Sequence, residues 1–145
     1  MGWNIVQGAE IGAWVADRIA GEFYSKTSSA IGLMKDGVIV AGVIYENWNR
    51  ASIFCHIAIE GRMTKAYLKA IFDYPFNVCG VEKIIAPVLS GNAKALRLVK
   101  NMGFVEEARL RFSDEDICMM TMNRDQCRFL GAKYEQKITK AASGT

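Results

Sequence analysis

Three side chains in the first half of the chain could take up and release protons during catalysis. His56 is the only histidine, and histidine exchanges protons near neutral pH. Glu60 follows four residues later, so an extended strand would place both side chains on the same face. Glu46 is a third and weaker candidate. A lone histidine in an apolar strand is more often a hydrogen-bonded core residue, and Glu60 also fits an ordinary solvated carboxylate. The base is therefore left open between these residues.

The turn at residues 61–66 has features of a phosphate-binding site. It carries two cations, Arg62 and Lys65, and it precedes a predicted helix that Thr64 can cap. Free amides at a helix start and the positive end of the helix dipole attract anions. Many helices begin with a few charges and a Thr cap, so an ordinary helix start explains the same residues.

A second turn, at residues 90–92, opens a short basic helix that Asn92 can cap and Gly103 can end. The basic residues on one side of this helix are Lys94, Arg97 and Lys100. The apolar residues on its other side are Ala95, Leu96, Val99 and Met102. Ligands of open α/β sheets bind at the carboxyl ends of inner strands. Both turns are therefore predicted to border one ligand site.

The composition fits one soluble, cytoplasmic domain. With 145 residues, of which 51% are hydrophobic, the chain can bury a core of its own. The formal net charge of +3 makes nucleic acid an improbable partner and suits a small anionic ligand better. We expect no secretory signal in residues 1–10. We also expect no membrane partner, because the longest apolar runs are far shorter than the roughly 20 residues that span a bilayer.

The cysteines do not predict a metal site. Cys55, Cys79, Cys118 and Cys127 show no CxxC spacing, and a single histidine accompanies them. Each lies in an apolar run, which is typical of reduced core thiols in a cytosolic protein. We therefore predict no metal cofactor.

Hydrophobic periodicity predicts alternating helices and strands. The first elements are a helix at residues 9–20, ended by Gly21, and a hairpin at residues 30–48 that turns at Asp36-Gly37. A strand at 51–61, a helix at 64–78, a strand at 82–89, the basic helix, and strands at 104–112 and 117–124 around a polar turn at 113–116 follow in order. This order predicts an α/β fold with antiparallel N-terminal strands, a parallel central pair and helices on both faces of the sheet. Residues 1–130 would form one domain, and residues 131–145 a partly disordered tail.

The predicted helix at residues 64–78 should lie on the sheet through its apolar side. Its polar side consists of Lys65, Lys69, Asp73 and Asn77. Pro75 has no N–H donor and would crowd the Ile71 carbonyl, so the last turn should bend or loosen.

Several segments, in their order and spacing, resemble the GNAT acetyltransferases. The segments are CHIAIEG (55–61), FDYPFN (72–77), NAKALRLVKNMGF (92–104), the strand with Glu107 and Arg111, and DICMMTMNRDQCRF (116–129). The likeness extends from about Trp14 to Leu130. The chain is similar in particular to a subgroup of small GNAT proteins common in phages and prophages. This likeness implies that the protein is located in the cytoplasm of a host cell.

The resemblance implies an N-acetyltransferase that moves the acetyl group of acetyl-CoA to a primary amine of a small molecule, peptide or protein. Either His56 or Glu60 would accept the amine's proton. The residues implied in coenzyme binding are Ile57, Ala58 and Ile59, then Arg62, Met63, Thr64, Lys65 and Ala66 at the phosphate turn, and Asn92, Lys94 and Arg97 on the basic helix. The sequence does not identify the acceptor amine. It also leaves open whether the protein forms a homodimer.

Two departures from the family pattern favour an alternative function. The phosphate turn keeps only Ala66 of the family's loop, and Thr64 stands where the central glycine belongs. Val99 occupies the position of a tyrosine that protonates the leaving thiolate in many members. The alternative is a non-catalytic CoA-binding or regulatory module of phage origin, which the absence of turnover would identify.

Overall fold

The computed structural model describes residues 2–19 and 28–130 of the chain. The strands in these residues are β1 (Trp3–Gln7), β2 (Ser29–Lys35), β3 (Val38–Glu46), β4 (Ser52–Ile59), β5 (Lys83–Leu89), β6 (Val105–Phe112) and β7 (Glu115–Asn123). The helices are α1 (Ala9–Ile19), α2 (Lys65–Asp73) and α3 (Ala93–Met102), and shorter helical turns lie at Tyr74–Val78, Arg124–Gln126 and Arg128–Leu130.

All seven strands belong to one mixed sheet, in the order β1-β2-β3-β4-β5-β7-β6. Only β4 and β5 are parallel, and every other neighbouring pair is antiparallel. On one face, α1 packs mainly on β2, β3 and β4. The larger core, which includes residues of α2 and α3, lies on the other face. The predicted fold class is therefore confirmed.

The strand β1 was not predicted, because its sequence gives little sign of a buried face. It pairs with β2 at the edge of the sheet, and Trp3 and Ile5 are 39% and 42% exposed. Of the β1 side chains, only that of Val6 packs against the buried apolar residues between α1 and the sheet. A short edge strand that leaves its apolar side chains in solvent lacks the alternation by which strands are recognised.

Two glycines allow α1 to lie close to the sheet. A Cβ atom on Gly32 would lie 2.5 Å from Ile11 Cδ1, and one on Gly42 would lie 2.5 Å from Val15 Cγ2. Both glycines face each other across β2 and β3. Side chains at these positions would push α1, whose last residues border the site described below, away from the sheet.

The tight turns follow the local sequence. Asp36 and Gly37 have φ values of 52° and 84°, as a two-residue hairpin turn with positive φ at both positions requires. The predicted polar turn at residues 113–116 is shorter than expected, because β6 ends at Phe112 and β7 begins at Glu115. The turn therefore consists of two residues, Ser113, whose φ is 53°, and Asp114.

The helix after β4 begins and loosens where the sequence predicts. Thr64 caps α2, and its Oγ1 accepts a hydrogen bond of 3.0 Å from the Tyr67 amide. Regular α-helix ends at Asp73, and the chain continues as a π-helical turn with Pro75 near its start. Pro75 has no N–H to donate to the Ile71 carbonyl, so the wider turn is a physical consequence of this residue.

The polar side of α2 is not wholly exposed to solvent. Lys69 is only 3% exposed, and its Nζ donates to Asp73 Oδ1 at 2.9 Å. The chain returns over α2 at Arg128–Leu130, where Phe129 stacks on Phe72 with ring centroids 4.8 Å apart. This returning segment covers the lysine, and local helical periodicity contains no sign of it.

Some predictions fall outside the described residues. They concern the helix stop at Gly21 and the tail at residues 131–145. Among the helices within residues 2–19 and 28–130, none has the length and apolar character needed to cross a membrane.

Candidate active site

The parallel strands β4 and β5 pair only over their first three residues. Ser52, Ile53 and Phe54 lie opposite Lys83, Ile84 and Ile85. Beyond these pairs both strands continue, but they no longer pair with each other. Pro87 lies in this second half of β5, where the lack of an N–H removes no bond to β4. The backbone groups of residues 55–59 that face β5 are thereby left without a strand partner, and a bound amide can pair with them.

A cleft of about 750 Å³ lies along this split. Its walls come from the separated halves of β4 and β5 and from the first turns of α3. The end of α1 contributes Arg18 and Ile19, and Glu46, Phe112 and Ile117 complete the lining. The cleft is large enough for a ligand of the size that protein pockets usually enclose.

The cleft has two chemically different sides, because strand side chains alternate between the faces of the sheet. On the face of α2 and α3, the lining includes Ala86, Ala95, Leu98 and Val99. His56 lies opposite Ile44 and therefore on the face of α1. The His56 side chain therefore lies at the mouth on the α1 face, and the lining on the other face is largely apolar.

His56 and Glu46 form a hydrogen-bonded pair at the β4 wall. The distance between His56 Nε2 and Glu46 Oε1 is 2.7 Å, and both side chains are partly buried, at 24% and 27% exposure. Glu46 lies opposite Phe54 and His56 opposite Ile44, so the two side chains are diagonal neighbours on one face. An ionised carboxylate can only accept, so Nε2 carries the proton and Nδ1 of neutral His56 is left as an acceptor.

Glu60 lies beside the same mouth, but its carboxylate is held by Arg18. Arg18 Nε donates to Glu60 Oε2 at 2.8 Å, and Nη2 donates to Oε1 at 3.3 Å. The guanidinium also stacks on Trp14, with its Cζ 3.8 Å from the ring centroid. Both carboxylate oxygens are therefore engaged by a cation, which leaves Glu60 less available as a proton acceptor than His56.

Comparison with solved structures identifies the fold. A spermidine N-acetyltransferase SpeG chimera of Vibrio cholerae and hSSAT superimposes with a TM-score of 0.66 and 17% identity, covering 90% of this chain and 100% of that chain. The chain has the fold of the GNAT N-acetyltransferases. No family model and no curated protein sequence matches it.

Two further GNAT structures agree. The N-acetyltransferase PseH of Campylobacter jejuni, in complex with acetyl coenzyme A, has a TM-score of 0.53 and 17% identity over 68% of this chain and 69% of that chain. A ribosomal-protein-S5-alanine acetyltransferase of Vibrio fischeri has a TM-score of 0.59 and 16% identity over 71% of this chain and 65% of that chain. At such identities the likeness establishes the fold alone.

The residues that the GNAT resemblance assigns to phosphate lie at the start of α2. Arg62, Lys65 and Ala66 are exposed, and Met63 and Thr64 are partly buried. They follow directly after the β4 wall of the cleft but do not line it. Amides in the first turn of a helix have no acceptor within the helix, and the Thr64 side chain satisfies only that of Tyr67. The amides of Lys65 and Ala66 thus remain for a ligand.

The residues assigned on α3 are divided between the cleft and the solvent. Asn92 and Lys94 line the cleft, whereas Arg97 is exposed away from it. Asn92 Oδ1 accepts from the Ala95 amide at 3.1 Å, so the predicted N-cap is present and the side-chain N–H₂ group has no partner among the described residues. Val99 is 3% exposed and also lines the cleft. No hydroxyl is therefore offered at that position.

Of the predicted β4 residues, Ile57, Ala58 and Ile59 all line the cleft. The sequence reasoning missed Arg18 and the apolar wall formed by Leu89, Phe112 and Ile117. Arg18 falls in the three- and four-residue spacing that predicts the helix at residues 9–20, so its sequence position indicates packing and not a site. The apolar wall depends on how β5, β7 and β6 pair, which no local pattern reveals.

The thiol of Cys55 borders the cleft, but burial makes it a poor nucleophile. Burial raises the pKa of the Cys55 thiol to about 12, and its side chain is 3% exposed. At pH 8 a thiol with this pKa is ionised in only about one molecule in 10⁴, and the thiolate is the reactive form. We therefore infer that the site does not use Cys55 as a nucleophile.

This inference predicts the order of alkylation in the native protein. Iodoacetamide at pH 8 should modify the partly exposed Cys79 first and leave Cys55 unmodified, as measured by peptide mass mapping. In guanidinium chloride both thiols should react at similar rates. Labelling of Cys55 in the folded chain as fast as Cys79 would contradict its burial.

Proposed function

We propose that the chain is an acetyl-CoA-dependent N-acetyltransferase that acts on a primary amine. The observation that carries the proposal is the split between β4 and β5 with the His56–Glu46 pair at its wall. The shared fold of N-acetyltransferases, one of them solved with acetyl coenzyme A, supports it. We also propose that the chain is related in particular to the small GNAT members found in phages and prophages.

The described residues fit acetyl-CoA. Pantetheine amides would pair with the free edge of residues 55–59, and the apolar side of the cleft would contact its methylene and methyl groups. The unpartnered amide of Asn92 offers a further donor. The amides of Lys65 and Ala66, with the Arg62 and Lys65 side chains, would hold the pyrophosphate. When bound, acetyl-CoA supplies an activated acetyl group as a thioester.

His56 is the best-placed proton acceptor for the acceptor amine. A neutral amine nitrogen forms the bond to the acetyl carbon, the carbon–sulfur bond breaks, and the nitrogen releases one proton. His56 Nδ1 takes that proton, and Glu46 holds the ring through Nε2. Glu60 is the alternative, although Arg18 occupies its carboxylate. With Val99 in place of a hydroxyl donor, the leaving thiolate takes its proton from solvent.

Val99 also supports the second candidate function, a CoA-binding module without turnover. Both candidates predict coenzyme binding, and only the first predicts chemistry. A screen of amines and peptides with acetyl-CoA, followed by mass detection of the acetylated product, separates them. Acetylated product from any amine, lost when the cleft is blocked by Ala95→Trp, supports the enzyme. Coenzyme binding without product from the whole panel would favour the module.

Removing the two cations at the phosphate turn should weaken coenzyme binding. The double variant Arg62→Ala, Lys65→Ala is expected to raise the Kd of acetyl-CoA roughly tenfold, because charge-assisted hydrogen bonds to phosphate are lost. The difference should shrink at high salt. Lys100→Ala is the matched control, because it removes an exposed cation near the C-terminal end of α3. This variant should bind acetyl-CoA like the wild type. Equal affinities in all three proteins would place the phosphates elsewhere.

A further inference from the structure

Among the described residues, nothing covers the α1 face of the sheet beyond the cleft. Parallel pairing places Phe54 and Ile85 on the same face, so alternation puts His56, Pro87 and Leu89 on that face as well. Pairing with β7 and β6 then adds Ile117, which lies opposite both Leu89 and Leu110.

Within the described residues this surface is apolar and exposed. Leu89, Leu110 and Phe112 are 41%, 51% and 54% exposed, whereas α1 covers mainly β2 to β4. Leu89, Phe112 and Ile117 also line the cleft, together with Pro87. The surface is therefore continuous with the mouth that contains His56. A molecule whose reacting atom reaches His56 can therefore lay its adjacent part on this wall.

The charges around the cleft do not fit a polycation. The charged residues in its described lining are Glu46, Glu60, Arg18 and Lys94, whose formal charges cancel. Glu60 is paired with Arg18, and Glu46 accepts from His56. A second ammonium group over Leu89, Phe112 or Ile117 would lose hydration, because these side chains offer no hydrogen-bond acceptor. The neighbouring carboxylate of Glu115, opposite Phe112, already accepts from the Gly91 amide at 2.8 Å.

We propose that the acceptor is an amine with a single positive charge next to an apolar body, which packs on Leu89, Phe112 and Ile117. This inference rests on the proposed function, because that function places the amine at His56. The same chemistry occurs in a free aryl- or alkylamine and in the N-terminus of a peptide with apolar first residues. Area buried on this wall provides affinity for either source.

Calorimetry on the full chain tests the proposal, with and without coenzyme A, so that the result does not depend on turnover. The probes are 2-phenylethylamine, a tetrapeptide of apolar residues with a free N-terminus, and spermidine. At least one of the two apolar probes should bind ten or more times tighter than spermidine, and the tighter of the two identifies the source. Leu89→Asn should weaken its binding about tenfold.

Leu110→Asn is the matched control. Leu110 is exposed on the same face but does not line the cleft, so its variant should bind the probe like the wild type. Spermidine binding as tightly as the apolar probes would overturn the proposal. So would equal binding by the Leu89 and Leu110 variants, or no binding of either apolar probe. Failure of the proposed function has a different signature, namely selective amine binding without acetylated product.

Discussion

His56→Gln is expected to lower turnover by about 10²-fold or more while acetyl-CoA affinity stays nearly constant. A general base typically contributes about 10²–10⁴-fold, and glutamine can occupy the same space without accepting a proton. Steady-state kinetics on the acceptor that the amine screen identifies, together with a binding titration of acetyl-CoA, measure both effects.

Two controls distinguish a base from a core residue. Glu60→Gln changes a carboxylate at the same mouth and should leave turnover within a few fold, because Arg18 already occupies that group. If His56 only stabilises the fold, His56→Gln should lower the Tm while activity per folded molecule is retained, because a buried polar partner has been disturbed. Retained activity would then exclude His56 and leave water or Glu60 as the proton acceptor.

Asp73→Ala is expected to lower the free energy of unfolding by about 3–5 kcal/mol. The Lys69 side chain is 4% exposed and its ammonium is 2.9 Å from Asp73 Oδ1. Removing the carboxylate leaves a buried charge without its partner, which is strongly destabilising. Asp73 Oδ1 also accepts from Asn77 Nδ2 at 2.7 Å, so that amide would lose its partner too. Urea denaturation measures the difference.

The same experiment has two matched controls. Asp17→Ala removes an aspartate whose side chain is 85% exposed and lies 3.9 Å from Arg18, so stability should change by at most about 1 kcal/mol. The double variant Lys69→Met, Asp73→Ala removes both charges, so it should be less destabilised than Asp73→Ala alone. If the double variant were as unstable as Asp73→Ala, the unpaired ammonium of Lys69 would not be the cause of the loss.

The features that the sequence predicts correctly depend on chemistry within a few residues. The Asp36-Gly37 turn, the Thr64 and Asn92 caps and the loosening at Pro75 each follow from the conformational preference of one or two side chains. The division of α3 into a basic and an apolar side is of the same kind.

The pairing of His56 with Glu46 depends on strand register, which the sequence leaves undetermined. The loop between β3 and β4 fixes it: Asn49 Oδ1 accepts from the amides of Ala51 and Ser52, and Asn47 and Arg50 adopt positive φ. With this loop, Glu46 lies opposite Phe54, next to His56 on the same face. A loop longer by one residue would place the two side chains on opposite faces.

The burial of Lys69 and the apolar wall of the cleft depend on contacts between segments far apart in the chain. Lys69 is covered because residues 128–130 return to α2, and Leu89 meets Ile117 because β5 pairs with β7. In both cases a local pattern predicts a solvated or ordinary position, and tertiary packing decides otherwise.

The position of acetyl-CoA in the split between β4 and β5 is the central claim, and amide chemical-shift mapping tests it most directly. On titration with acetyl-CoA, the largest ¹H–¹⁵N shifts should occur at residues 55–59 of β4, at the start of α2 around Lys65, and at Asn92. Amides of β1 should be nearly unchanged, because this strand lies at the far edge of the sheet. No shifts up to millimolar acetyl-CoA, or shifts confined to β6 and β1, would contradict a coenzyme site between the two separated strands.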